Sequence, residues 1–384
     1  MSKRILIGIY HHPEAYPPTL NAVQQLSRCY EEIIIVHRPH LKSSWNYPAN
    51  VTVVESGKPI SSVDQERASL HRKVFFFLIF FKDFVLQSWK KKPGTILLYD
   101  TMPVLAFSLA RPLLWFKYRL WYHNHDIAEL SQVRKYSLGW WACRAERKIF
   151  KRLHLFTLPA ESRKQFFPLE TSKAACIVIP NYPSRQVYDA FYRGKNIEEK
   201  LILIFQGRVN EGHGFETIIP LLSETIEGKK LELVLKGYIT EEYKRSLLAL
   251  AATAGVEGSL RFVGFGPYKD VPEIASGCHI GIGIFSAREI MHLTLGTSSN
   301  KLYEYAALGL PVLYSDEKHF TDYLGKYEWA VPVIDNDPES IKTAISKIIR
   351  QYERLSADAR TSFESHLNFE YIFEPVLSWT KREA

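Results

Sequence analysis

Short runs of aliphatic and β-branched residues recur along this chain, each followed by a stretch of helical length. That alternation restricts the fold to parallel sheets wrapped by helices. ILIGIY, EIIIVH, VTVVE, TILLYD and LWYHNH read as strands, followed by HLFTLPA and CIVIPNYP. TLNAVQQLSRCY and Val74–Trp89 have helical spacing between them. The polar, weakly periodic stretch Ser184–Lys200 breaks the pattern and reads as a linker. The pattern then restarts with LILIFQGR, LELVLKG, LRFVGF, HIGIGIF and PVLYSD, and a helix is predicted over Pro338–Arg354. A chain of 384 residues is too long for one ordinary core, so two α/β domains are expected, each a doubly wound, Rossmann-like sheet.

Composition excludes several classes. An apolar share of 46% with 23% charged residues is globular. Cys29, Cys143, Cys176 and Cys278 have no paired spacing, which argues against a zinc site or a disulfide framework and for a reducing compartment. The start, MSKRILIGIYHH, reads as a first strand, because its apolar stretch is only about five residues long. VFFFLIFF, Val74–Phe81, is too short for a membrane span, which needs about twenty residues. With a net charge of +8, however, HRKVFFFLIFFKDFVLQSWKKKPG sets that run between basic clusters, as an interfacial helix would. A core helix with solvated lysines reads the same way. No nucleic-acid motif is present, and nucleic acid is not expected as a partner.

Open parallel sheets bind ligands outside the carboxyl ends of their strands, so the loops there carry the argument. QGRVNEGHG, Gln206–Gly214, follows a strand and precedes a helix. Its glycines let backbone amides approach a phosphate, and Arg208 can pair with phosphate oxygens. SSNKLYEYAALGLPVL, Ser298–Leu313, puts small polar caps at a helix start and then Lys301 and Glu304 on one face. A diphosphate needs amides and a cation and a ribose needs a carboxylate, and this helix presents both. A plain glycine-rich turn and an amphipathic helix with an incidental ion pair are the bland readings of the two segments.

The ordered set of Gly-Arg-x5-Gly, LKG, FVGFGPYKDVPEIASGCHIGIGIF, SNKLYEYAALGLPVL and the trailing helix resembles the donor half of the GT-B glycosyltransferases, specifically the retaining family 4 enzymes. The resemblance covers about Leu201 to the end and is weaker in the first half. It implies that Arg208 neutralises a donor diphosphate and contributes to catalysis, and that Glu304 binds the nucleotide ribose. It places Phe265 and Gly266 at the base pocket, and Ser299 and Asn300 at the phosphates. Gly207, His213, Lys236, Gly237 and Lys301 complete the implied donor set. WYHNHDIAEL resembles the segment near the transferred sugar, making His123 and Asp126 catalytic candidates, with His11, His12 and His125 on the acceptor side. Two departures stand out. His213 occupies a position where the family often has lysine, so Lys236, Lys301 or a protonated histidine takes over some phosphate charge. Gly296 stands where the family often has a first glutamate, and Glu289 is too far along the chain to substitute.

The resemblance implies two domains facing a central cleft: residues 1–183 for acceptor, a linker over 184–198, residues 199–365 for the nucleotide sugar, and a C-terminal helix over 366–384 packing back on the first domain. The implied reaction moves a hexose-type sugar from a UDP- or GDP-sugar to a saccharide or lipid-linked acceptor with retention, in capsule, lipopolysaccharide or other cell-surface assembly. No cofactor or metal is expected, and a cytoplasmic location with peripheral contact at the inner membrane face fits. Asp335-Asn336-Asp337 spells a metal-binding pattern, yet Pro338 follows and Asp337 reads as a helix cap. His123, His125 and Asp126 lack the further ligands of a zinc site. A sugar-nucleotide epimerase and a non-catalytic nucleotide-sugar-binding module remain the alternatives.

Overall fold

The computed structural model describes residues 2–40, 45–128, 130–131, 133–286 and 294–381; Glu289 lies outside them. The chain divides into two compact units, Met1–Pro180 with Ile372–Ala384, and Asn181–Tyr371.

In the first unit, strands β1 (Arg4–Ile9), β2 (Glu32–His37), β3 (Val51–Glu55), β4 (Thr95–Tyr99), β5 (Arg119–His123), β6 (Leu155–Leu158) and β7 (Ala175–Val178) form one sheet. Every pairing is parallel and the order is β3-β2-β1-β4-β5-β6-β7. The connecting helices are α1 (Pro17–Leu26), α2 (Ser62–Arg67), α3 (Leu70–Lys91), α4 (Thr101–Ala110) and α5 (Leu138–Ile149). β4 and β5 are buried along their whole length, which is why their centres, Ile96–Leu98 and Leu120–Tyr122, read as short apolar runs. α3 explains the VFFFLIFF segment. Phe77, Phe80, Phe84 and Val85 enter the core, while Phe75, Leu78, Leu86 and Trp89 stay exposed on the other side. The run is therefore part core and part surface, because the helical period splits it between two faces.

In the second unit, β8 (Lys200–Gln206), β9 (Thr225–Ile226), β10 (Lys229–Lys236), β11 (Leu260–Gly264), β12 (Ile280–Gly283), β13 (Val312–Ser315) and β14 (Ala330–Val333) form a sheet of order β11-β10-β8-β12-β13-β14, with β9 antiparallel on β10. The helices are α6 (Arg185–Tyr188), α7 (Phe215–Leu221), α8 (Glu241–Thr253), α9 (Val271–Ser276), α10 (Leu295–Ser298), α11 (Asn300–Ala307), α12 (Lys318–Leu324), α13 (Pro338–Arg350) and α14 (Tyr352–Ser365). The segment that reads as a linker opens with α6, whose Tyr188 is fully buried in the second core, and Asp189 pairs with Arg360 at 2.6 Å. One anchoring aromatic among polar neighbours leaves no periodic signal. The predicted helix over Pro338–Arg354 stops at Arg350, where Gln351 leaves helical geometry, and resumes as α14. Asp337 caps α13, accepting from the amides of Glu339 and Ser340.

The last helix, α15 (Phe369–Lys381), returns to the first unit. Arg119 at the start of β5 donates to the carbonyls of Trp379 and Thr380 and lies 4.1 Å over the Trp379 ring. No described helix is long and apolar enough to cross a membrane.

In both sheets the strand order reverses beside the first strand, between β1 and β4 and between β8 and β12. Loops diverge there and leave a crevice at the carboxyl ends.

Candidate functional site

In the second unit, QGRVNEGHG leaves the end of β8 at this reversal, and α11 comes to the same edge. Gly207 and Gly237, at the ends of neighbouring strands, touch backbone to backbone: a β-carbon on Gly237 would lie 1.7 Å from the Gly207 carbonyl oxygen, and both residues have positive φ. Only glycine allows this approach, and it brings the loops after β8 and β10 together. Gly237 N–H donates to the Gly264 carbonyl, tying in the loop after β11.

α11 is fixed at this edge by its own side chains. Tyr305 accepts from the amide of Gln206 at 3.0 Å, and Tyr303 donates to the Gly296 carbonyl. Asn181 bonds to the carbonyls of Thr297 and Ser298, holding the turn before the helix. Glu304 is buried, accepting from Gln206 Nε2 and, at 2.9 Å, from the Tyr268 hydroxyl. The Tyr188 hydroxyl lies 3.3 Å from that of Tyr268. Burial raises the Glu304 pKa, and Tyr268, Tyr188, Gln206 and Lys301 pull it back. Tyr268, Tyr188 and Gln206 thus bond to a carboxylate with about four acceptor sites, which leaves one for a ribose hydroxyl.

One turn earlier, the Lys301 ammonium sits 3.8 Å from the Phe205 ring centroid and 4.6 Å from that of Phe285, against Gly207. Burial lowers its pKa to about 7, with Glu304 opposing. Arg208 is exposed at the same loop, without an ion pair among the described residues. Ser299 is the N-cap of α11 but its side chain makes no cap bond, and the buried Asn300 Oδ1 has no partner among the described residues.

Other sequence candidates are already engaged. Lys236 Nζ donates to the Gly264 carbonyl at 3.0 Å and packs against Gly266, and burial lowers its pKa. His213 Nδ1 lies 2.8 Å from the Ile284 carbonyl and Nε2 3.0 Å from Asn210 Oδ1, with the ring packed between Phe205 and Phe285. Both of its nitrogens are thus directed at protein partners. Phe265 is 71% exposed just beyond β11, open to stack on a planar ring. At Gly296 a β-carbon would meet the His319 carbonyl at 2.4 Å and the Tyr323 ring, so α12 closes the space a first glutamate would need.

In the first unit, the ends of β1, β2, β4 and β5 gather histidines. His123 is buried, its Nδ1 2.8 Å from Thr157 Oγ1 and its Nε2 unpartnered. Burial drops its pKa to about 3, with the Arg163 charge helping. His125 is sandwiched between Tyr16 and Tyr99 at 4.6 and 4.8 Å, and its Nε2 reaches Thr19 at 2.9 Å. Asp126 is exposed and accepts from the Tyr16 hydroxyl at 2.7 Å. His11 faces Tyr16 and His40, whereas His12 packs on His37.

Four participants here escaped sequence reasoning: Tyr16, His37, His40 and Asp100. Asp100 ends the TILLYD strand with a positive φ, and one of its oxygens accepts from the amides of His125 and Asp126. Burial and the Asp126 charge push its carboxyl well above the usual range, against the pull of those amides. Its place at a strand end beside the sheet reversal was the available signal. No described group of three His, Cys, Asp or Glu residues could hold a metal ion.

Residues 189–362 match the family model described as Glycosyl transferases group 1. No curated protein matches the chain. Among solved structures, sucrose-phosphate synthase from Thermosynechococcus elongatus superposes with a TM-score of 0.70 at 13% identity, over 99% of this chain and 98% of that one. HepE from Anabaena, in complex with UDP and glucose, gives 0.66 at 12% identity over 98% of each. A putative UDP-N-acetylglucosamine 2-epimerase from Listeria monocytogenes gives 0.63 at 10% identity over 99% and 96%. At such identities these likenesses define the fold and leave the chemistry to the site.

Proposed function

We propose that this protein moves a hexose-type sugar from a UDP- or GDP-sugar to a saccharide or lipid-linked acceptor, with retention, in cell-surface polysaccharide or glycolipid assembly; the match of residues 189–362 to the glycosyl transferases group 1 model and the GT-B fold of the chain support this reading. The observation that carries the reading is the second-unit edge where buried Glu304 and half-buried Lys301 stand one turn apart beside the touching glycines of two strand ends. A carboxylate with an acceptor site left open suits a ribose hydroxyl. A cation and backbone amides suit the diphosphate.

Cleavage of the sugar–phosphate bond develops positive charge on the sugar and negative charge on the departing diphosphate. In this reading Arg208 and Lys301 stabilise the departing charge, and Phe265 and Gly266 line the base pocket. Ser299 and Asn300 sit at the phosphates. His213 serves by packing the loop under the donor, and Lys236 by holding the loop that carries Gly266. The first unit takes the acceptor through His11, His12 and His125. His123 and Asp126 are the first unit's catalytic candidates, with Asp100 orienting that segment through the amides from which it accepts. The packed Gly296 leaves sugar selection to other residues than a first glutamate.

The test incubates purified protein with a panel of UDP- and GDP-sugars, with and without lipid-linked saccharide extract, and measures nucleotide release and product anomer. Acceptor-dependent release with retained configuration is expected. Donor conversion without acceptor would make the protein an epimerase, and binding without turnover across the panel would make it a binding module.

A further inference from the structure

Buried polar atoms without protein partners gather at one edge of the first sheet. In the register of β1, β2 and β3, Ile9 lies beside His37 and His37 beside Glu55, so the residues that follow all leave the same carboxyl edge. The Ser56 amide, donating to the His37 carbonyl at 2.8 Å, ties the last two strands there. Arg38, His37, Ser56 and His12 are each more than nine-tenths buried. Among the described residues, Arg38 Nε and Nη2, His37 Nδ1, His12 Nδ1, His40 Nε2 and Ser56 Oγ have no hydrogen-bond partner. Leaving that many buried polar atoms unpaired in one place is costly, and each calls for a ligand or a functional reason.

The group has the chemistry of an anion site. Arg38 is a permanent cation. It lies 4.6 Å over the Phe76 ring with Nη1 donating to the Ser56 carbonyl, and no described carboxylate pairs with it. Gly57, at positive φ, makes room, since a β-carbon there would strike Nη1. Burial lowers the His40 pKa to about 4, and His11, His12, Arg38 and His37 push the same way, so four basic side chains converge on it. Burial also lowers the His37 pKa to about 4. At neutral pH both imidazoles are therefore uncharged, and each offers one N–H donor beside the Arg38 charge. Glu14, the acid at this edge, is already engaged, 3.5 Å from His12 Nε2 and accepting from the Trp45 amide at 3.1 Å. The imidazoles form no metal-holding group among the described residues. One cation, several N–H donors and an occupied acid suit an oxyanion, and half-buried His11 and His40 give the group its opening to solvent.

We propose that the acceptor carries an anionic group, a phosphate or a carboxylate, and that the ends of β1, β2 and β3 receive it, with Arg38 supplying charge and His12, His37 and His40 the donors. This rests on the reading of the first unit as the acceptor side, but binding is measured without nucleotide or turnover, so the two fail separately. The experiment is NMR of the full chain carrying isotope-labelled histidine, with signals assigned through His12→Gln, His37→Gln and His40→Gln. Glucuronate, glucose 6-phosphate, inorganic phosphate and glucose are titrated in turn, and the other histidine signals report whether each variant is folded. One of the two sugar anions should shift the His12, His37 and His40 signals together, at least about tenfold tighter than glucose and tighter than inorganic phosphate. The sugar anion that does so names the group. Arg38→Gln should weaken that binding on the order of 10–100-fold, the range of a hydrogen bond to a charged group. His40→Gln, at a half-buried position, should weaken it about threefold to tenfold, and it carries the test if Arg38→Gln does not fold. With an anionic acceptor, Arg38→Gln should raise KM far more than it lowers kcat. Shifts confined to His213 would place the anion in the second unit and overturn the proposal. So would no shift, an equal response to glucose, or inorganic phosphate binding as tightly as both sugar anions, since the group would then hold a free anion.

Discussion

Lys301 should make donor affinity depend on pH in a way that one substitution abolishes. Its ammonium is held among Phe205 and Phe285, and burial brings its pKa to about 7. A bound diphosphate favours the charged form, so binding takes up a proton above that pKa. The charged fraction falls from roughly nine-tenths at pH 6 to roughly 3% at pH 8.5, so affinity should drop about 30-fold over that range if the bound lysine stays charged. Lys301→Met keeps the length of the side chain and removes the charge. At pH 6 it should cost on the order of 10–100-fold, the range of a hydrogen bond to a charged group, and its pH profile should be flat. The two proteins should converge by pH 8.5. Equilibrium titration with a nucleotide sugar at fixed ionic strength and without acceptor reads this directly, because the diphosphate itself does not titrate there. A Lys301→Met protein that keeps the parental slope would refute the reasoning, as would a flat profile in the parent.

Glu304→Ala should lower nucleotide affinity on the order of tenfold or more with the fold intact, since it removes the ribose acceptor and leaves Gln206 and Tyr268 unpaired; a folded variant with normal affinity would remove the ribose contact. Arg208→Ala should chiefly slow transfer, by on the order of a hundredfold, because the exposed guanidinium supports little of the fold; an unchanged turnover number takes it out of the site. Gly237→Ala should cost about 3 kcal/mol or more, given the 1.7 Å approach to the Gly207 carbonyl, and a wild-type urea midpoint would contradict the packing. His123→Gln tests linkage. The folded histidine titrates near 3, below the unfolded value, so its contribution is complete above about pH 6.5 and is lost as pH falls toward 3. The variant's stability should therefore fall less steeply between pH 6 and 4, by about 1.4 kcal/mol per pH unit, and equal slopes in urea titrations would count against a buried neutral His123.

The repeated strand–helix alternation announced both sheets because strands covered on two faces need apolar centres, as β4 has in Ile96–Leu98 and β5 in Leu120–Tyr122. The motif around Lys301 and Glu304 was legible for a similar reason: local helical spacing puts the two on one face. Short elements with mixed composition were not. β14 and the turn carrying Tyr188 are brief, and their anchors, Val331 and Tyr188, are recognisable only once the core they fill exists. Partners distant in sequence were equally hidden, as with Asp100 accepting from the amides of His125 and Asp126.

By itself the sequence determined the α/β class, the loops at the carboxyl ends of the strands, and the family pattern of the second half. These follow from periodicity and from glycine, proline and capping residues, which act over a few positions. Only the tertiary structure decided the state of each side chain. It spent His213 and Lys236 on neighbouring carbonyls, closed the space at Gly296 and lowered the pKa of Lys301. Burial, hydrogen-bond pairing and electrostatic environment depend on what the rest of the chain brings within a few ångströms, and no local pattern carries that information.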